Sequence, residues 1–289
     1  MMIETRYYMV AGHRFGVTAE TDDFALMANY EPFADHEARE LAFTLIIGEG
    51  VAISYTEEMC QDDEGQKIVC GRTADGRPVF EYSWAGATAG WLVCSNDYRE
   101  GRLITTGCHT KLAIDNALMV LFSLATATHG TVLFHAAAVS HQGYAYMFLG
   151  PSGTGKSTHA RLWIKHIQPT ELVNDDNPVV RVIDGKTMCY GSPWSGKTPC
   201  YRNVNYPLGG IAMLSQAPYN QIRRLDGIHA YVSLMESISG MRWDTNIADG
   251  LHQTENALAS TIAVWHLECL PDKEAALICS EKMIVNGND

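Results

Sequence analysis

The residues Gly150-Pro151-Ser152-Gly153-Thr154-Gly155-Lys156-Ser157 satisfy G-x-x-x-x-G-K-[ST] in full, the spacing of a loop that cradles phosphates. Glycines admit backbone conformations closed to other residues and let main-chain N–H groups approach an anion. A helix opening directly after the loop adds partial positive charge at the same place. Lys156 sets an ammonium against the outer phosphates, Ser157 offers a hydroxyl to Mg²⁺, and Thr158 follows within reach of the same ligand. The expected ligand is a nucleoside triphosphate with Mg²⁺: ATP first, GTP as the alternative.

Downstream, the short apolar run Glu171–Val173 leads into Asn174-Asp175-Asp176-Asn177. Parallel α/β sheets place their chemistry at the C-terminal ends of strands. Beside a phosphate loop, one carboxylate can hold Mg²⁺ and the other can accept the proton of an attacking hydroxyl. Adjacent residues on an extended chain point in different directions, which suits one role each. The expected division is Asp175 as base and Asp176 on the metal; a solvated turn before Pro178 is the plain alternative. His135 lies on the strand before the loop strand, where it sits either near the phosphates or in the core. Lys197 and Arg202 stand in a Gly/Pro-containing loop and bring local positive charge to an acidic chain. Such charge can neutralise a transferring phosphoryl group or hold an anionic acceptor. Arg161 is expected to pack or to form a surface ion pair. Trp194 either stacks on a substrate or packs, and His159 is as readily exposed as in contact.

The elements that must position these residues follow from periodicity. Tyr144–Leu149 reads as a buried strand running into the loop, and Ser157–Ile167 as the helix after it. Leu133–Val139 pairs with the loop strand through a turn at His141-Gln142-Gly143, and Val179–Ile183 with Thr187–Tyr190 forms a hairpin through Asp184-Gly185-Lys186. Leu208–Leu214 is a further strand, and Lys111–Thr128 and Leu251–Glu268 are helices. Before residue 110 the chain is β-rich, with Arg6–Val10, Leu41–Ile47, Val51–Tyr55, Lys67–Cys70, Val79–Trp84 and Trp91–Ser95 as strands between Gly- and Asp-containing turns. The expected organisation is therefore a β-rich N-terminal domain over 1–110 and an α/β nucleotide-binding domain over 111–289.

The whole sequence of 289 residues is ordinary for a globular protein, with 46% hydrophobic and 19% charged residues. Its net charge of -12 argues against a nucleic-acid partner. The apolar run Ala117–Ala127 is too short to span a bilayer and the N-terminus lacks a signal core, so no membrane is expected and the cytoplasm is the expected location. The eight cysteines show neither zinc-ligand spacing nor a disulfide framework, and free thiols are expected.

The strand, the loop, the helix and Val173-Asn174-Asp175-Asp176 together resemble the HPr kinase/phosphorylase catalytic domain and the nucleotide-binding core of phosphoenolpyruvate carboxykinase. The resemblance extends to Phe134-His135, and Tyr190–Lys197 with Asn203 and Pro207-Leu208 is similar to uncharacterised bacterial kinases related to HPr kinase. It covers roughly Val132–Ser215. It implies a fold of that type behind a β-rich domain, phosphate and Mg²⁺ on Lys156 and Ser157, base and metal roles divided between Asp175 and Asp176, and His135 near the transferred phosphate. It also implies self-association. The reaction expected is transfer of the γ-phosphate to an unidentified hydroxyl acceptor. A Glu-x-x-Gly-x-Gly stretch that follows in HPr kinases is absent, which favours a small metabolite over a protein as acceptor. Two rivals stand beside this reading: a nucleotide-binding switch with little turnover, and phosphoenolpyruvate-forming carboxykinase chemistry.

Overall fold

The computed structural model describes residues 2–63, 65–196 and 198–284. The chain is mixed α+β and divides into two units, Met1–Thr126 and Ala127–Asp289.

In the first unit, β1 (Ile3–Val10) and β2 (His13–Glu20) form a hairpin. Ala11 and Gly12 turn it, both with positive φ, as a two-residue turn matched to strand twist requires. The short helix α1 (Thr21–Phe24) and a 3₁₀ stretch lead to β3 (Ala34–Asp35) and β4 (Leu41–Glu49). Next come β5 (Thr56–Asp63), β6 (Gln66–Arg72), β7 (Pro78–Trp84), β8 (Ala87–Cys94) and β9 (Glu100–Thr105). These nine strands make one sheet in the order β3-β1-β2-β4-β9-β8-β7-β6-β5. Helix α2 (Thr110–Thr126) covers β4, β7, β8 and β9, with Phe122 edge-on to Phe15, which stacks on Phe43.

That packing moves the boundary expected near residue 110. The helix assigned by sequence to the second domain buries Ile114, Leu118, Leu121 and Phe122 within the first unit. The helical span Thr110–His129 exceeds the run Ala117–Ala127 and is long and apolar enough by composition to cross a membrane, but 61% of its apolar window is buried within the protein. All eight cysteines are free thiols.

The second unit opens with β10 (Thr131–Phe134), β11 (Ala136–His141) and β12 (Tyr144–Leu149), followed by α3 (Lys156–His166). Then come β13 (Thr170–Asp176), β14 (Val179–Ile183), β15 (Lys186–Tyr190), β16 (Asn205–Gln216) and β17 (Gln221–Leu225). The chain ends with α4 (Gly227–Ser237), β18 (Ile238–Ser239), α5 (Thr245–Thr261), β19 (Val264–Cys269) and α6 (Lys273–Met283). The strand order is β13-β11-β12-β16-β15-β14-β10-β18, with β19 pairing β16 and β17. Strands β12, β16 and β19 run parallel at its centre. Tyr146, Phe148, Leu214 and Leu267 from these strands pack with Trp163 of α3 and Cys279 of α6 in one buried core.

Three expected elements differ. The helix expected over Leu251–Glu268 ends at Thr261, and Val264–Cys269 is instead β19, seated between β16 and β17. The single strand expected over Leu133–Val139 is broken at His135: β10 pairs β14 and β18, whereas β11 pairs β12 and β13. Val51–Tyr55 is not a strand; the polar segment Thr56–Asp63 pairs with β6 in its place.

Candidate active site

Strand β12 is buried along nearly its whole length and delivers the chain to Gly150. Gly150 has φ 144°, and a Cβ there would lie 3.1 Å from the Leu214 carbonyl oxygen and 3.3 Å from the Thr154 side chain. Both the conformation and the space demand glycine. Gly155, with φ 109°, caps α3 without any side-chain hydrogen bond to the helix's first N–H groups. Those donors, together with the N–H groups of the loop, are what an anion at a helix N-terminus uses. The Lys156 ammonium is buried and donates to the Gly150 carbonyl at 2.9 Å and the Pro151 carbonyl at 3.3 Å, so it is held over the loop. Thr154 braces the turn by donating through its hydroxyl to Pro151 O at 2.7 Å.

Asp175 and Asp176 end β13, beside β11, which in turn flanks the loop strand. Asp175 pairs with Ala137, a residue of the core covered by α3. Cross-strand partners share a face, so Asp175 lies on the face of the sheet that carries the helix. Asp176 closes the strand with φ 138°, a conformation rare outside glycine and often found at functional sites. Its Oδ1 lies 3.4 Å from His135 Nε2, and its Oδ2 accepts from Asn177 Nδ2 at 2.9 Å. Desolvation raises the Asp176 pKa above the usual carboxylate value; His135 and Lys156 oppose that shift and Asp175 adds to it.

His135 occupies the break between β10 and β11, with its N–H donating to Ser237 O at 2.8 Å. The break matters because it releases the imidazole from the strand's alternation. The structure therefore gathers His135, Asp176 and Lys156 into one electrostatic neighbourhood.

The loop 191–196, singled out in the sequence for its resemblance, ties down the acidic pair through contacts that the sequence did not reveal. Asn174 is fully buried. Its Nδ2 donates to Ser192 Oγ and Trp194 O, both at 3.1 Å, while its Oδ1 accepts from Asn177 N at 2.8 Å. Ser192 donates through its hydroxyl to Asn177 O at 2.6 Å, and Gly196 N donates to Asp175 O at 2.7 Å. Gly196 presses on the pair so closely that a Cβ would sit 3.1 Å from Asp176 Cβ. Asparagine and serine mark turns as often as buried networks, so their types alone did not reveal this.

The remaining candidates have other places. Lys197 lies outside the described residues. Arg202 pairs with Glu171 at 2.7 Å and also donates to the Leu172 carbonyl, at the start of β13 and away from Asp176. It anchors the loop's return rather than joining the acidic cluster. Arg161 donates to Thr198 Oγ1 at 3.1 Å. Trp194 is buried. His159 is buried as well, edge-on to Phe148, and accepts from Trp163 Nε1 at 3.2 Å. Burial pushes its pKa down to about 4. The imidazole is therefore neutral at pH 7, with its proton on Nδ1.

A family model described as "SynChlorMet cassette protein ScmC" matches residues 106–262, just over half of the chain. The chain belongs to the ScmC family. The match runs from the end of the first unit's sheet through the phosphate loop, the acidic pair and α5. No curated protein matches the sequence. Among solved structures, that of the Hpr(Ser) kinase/phosphatase from Coxiella burnetii is similar over 52% of this chain and 91% of that one, with a TM-score of 0.30 and 10% sequence identity.

Proposed function

We propose that this ScmC-family chain is an ATP- and Mg²⁺-dependent kinase that passes the γ-phosphate to a hydroxyl acceptor, with a small metabolite favoured over a protein. The nucleotide-binding unit would be of the HPr kinase and phosphoenolpyruvate carboxykinase type expected from the motifs. The observation that carries the reading is the convergence of Lys156, Asp176 and His135 beside a complete phosphate loop, with Asp176 held in a strained backbone conformation.

The residues present suit the ligand. The positive-φ glycines and the uncapped start of α3 offer N–H donors to phosphate oxygens. Mg²⁺ bound with a nucleotide needs only one or two protein groups besides phosphate and water. Ser157 and Asp176 would supply them, and the cation would neutralise charge on the transferring group. Lys156 orients the outer phosphates. Asp175 accepts the proton of the attacking hydroxyl, and His135 stabilises charge near the transferred group. The loop 191–196 keeps both carboxylates in place through Asn174 and Gly196.

The test is Mg²⁺ with γ-labelled ATP, offered to a panel of hydroxyl metabolites and to a cell extract. Label should reach one acceptor class. Lys156→Ala should weaken ATP binding about a hundredfold, the size expected for a lost charge-assisted contact. Asp175→Asn should leave binding intact and slow transfer by about 10²–10⁴-fold. Asp176→Asn should instead raise the Mg²⁺ concentration required. ATP binding with no label transferred in any fraction would replace the kinase with a nucleotide-binding switch.

A further inference from the structure

The phosphate loop has two unlike sides. Strand β12 has β11 and then β13 on one flank, which carry the acidic pair and border His135. On the other flank stand β16 and β19. There the loop residues Gly153–Gly155 and Thr158 form one wall of a cavity of about 560 Å³. Its other walls are mainly apolar: Leu162 of α3, Leu214 at the end of β16, Ala217 and Pro218 after it, and Leu270 and Pro271 after β19. Among the described residues no Asp, Glu, Lys or Arg lines the space, and His159 on its border is neutral at pH 7. Gln216 ties this rim to the loop by donating through Nε2 to Gly153 O at 3.2 Å.

We infer that this cavity receives the nucleobase and ribose of the triphosphate held by Gly150–Ser157, so that the terminal phosphate points towards Asp176 and His135. The inference rests on the nucleotide reading above and adds direction to it. The volume falls within the range of small-molecule sites, about 300–1,000 Å³. Apolar walls favour an uncharged flat ring through burial, whereas a second anion would find no counter-charge there. The cavity shares a wall with the cradle, so a ligand held by its phosphates reaches it without a second binding event. One consequence is geometric: the acceptor enters from the β13 side, since the opposite flank is filled by the nucleoside.

Calorimetry with Mg²⁺ and either ATP or inorganic tripolyphosphate separates the two parts of the site. The intact protein should bind ATP at least about tenfold more tightly than tripolyphosphate. Ala217→Phe fills the cavity with neutral bulk, and Leu270→Asn removes an apolar wall at a position already 39% exposed. Each should erase most of the preference for ATP while tripolyphosphate binding stays within about twofold, which also reports a folded loop. Equal binding of the two ligands by the intact protein, or an unchanged preference in both variants, would overturn the cavity assignment and leave the phosphate loop standing. Loss of both ligands in both variants would also overturn it, because the cavity would then have no role specific to the nucleoside. If the intact protein binds neither ligand, the phosphate-loop reading fails and the cavity assignment falls with it.

Discussion

Gly196 packs directly against the acidic pair. Adding a methyl at Gly196 places a carbon 3.1 Å from Asp176 Cβ and 3.2 Å from the Asp175 carbonyl oxygen, and both neighbours are anchored. Gly196→Ala should therefore shift the acidic pair, lowering kcat about 10–100-fold with ATP affinity unchanged. A parallel loss of ATP affinity in calorimetry would show that the loop acts on binding instead. His159 gives a second prediction of a different kind. Its pKa of about 4 lies below the ordinary value of 6.5 because burial disfavours the imidazolium. The unfolded chain thus binds the proton first, and stability falls as pH drops from 6.5 towards 4. Between pH 7 and 4.5 this residue should account for about 2 kcal/mol of the loss. In paired urea melts, His159→Gln should lose that much less than the parent; equal slopes would show that His159 does not set them. The loop 150–157 between strand and helix was legible because glycine, lysine and serine at fixed spacing have few other uses. The surroundings of His159 were not, since a histidine on a helix gives no sign of which face the sheet will cover.

Among the elements, the loop 191–196 takes much of its support from one buried amide. Asn174 is fully buried and its Nδ2 serves the two carbonyls and the hydroxyl that shape the loop. Asn174→Leu would remove that donor, a cost of about 1–3 kcal/mol, and would loosen the loop, which would keep its bond from Gly196 N to Asp175 O. A lower melting temperature together with a lower kcat is the expected outcome; a variant that melts normally would show that the loop holds itself. The three elements that departed from expectation did so for separate reasons. At His135 the strand changes partners from β14 and β18 to β12 and β13, and partners distant in sequence leave no local trace. Strand β19 follows α5 without an intervening glycine or proline, so the apolar run looked continuous with the helix. Strand β5 is polar because it stands at the sheet's edge, where a charged edge strand limits unwanted pairing. The exposed Val51 run nearby carried the stronger apolar signal. By contrast, the turns at Gln142-Gly143 and Asp184-Gly185 were placed correctly, since positive φ at both central positions selects such residues.

At the scale of the molecule, the phosphate loop, the acidic pair, His135, the loop 191–196 and the cavity all belong to the unit Ala127–Asp289. The hydrogen bonds, the ion pair and the cavity lining described above for them all come from described residues of this unit. The unit also closes its own core around Trp163, Phe148 and Leu267, and at 163 residues (127 through 289) it falls in the usual size range of an independent domain. Helix α2 marks where a cut must fall. It buries its apolar face in the first unit, so a fragment beginning at residue 111, as the sequence suggested, would expose Leu118, Leu121 and Phe122 to water. A fragment over 127–289 avoids this. It should remain monodisperse and bind ATP with Mg²⁺ within about threefold of the intact chain, a difference under about 1 kcal/mol, whereas a fragment over 111–289 should aggregate. If the shorter fragment folds, as judged by a cooperative melt, but loses nucleotide, then the first unit helps to form the site. In that case the role of the β-rich sheet would be sought at the phosphates rather than at the acceptor.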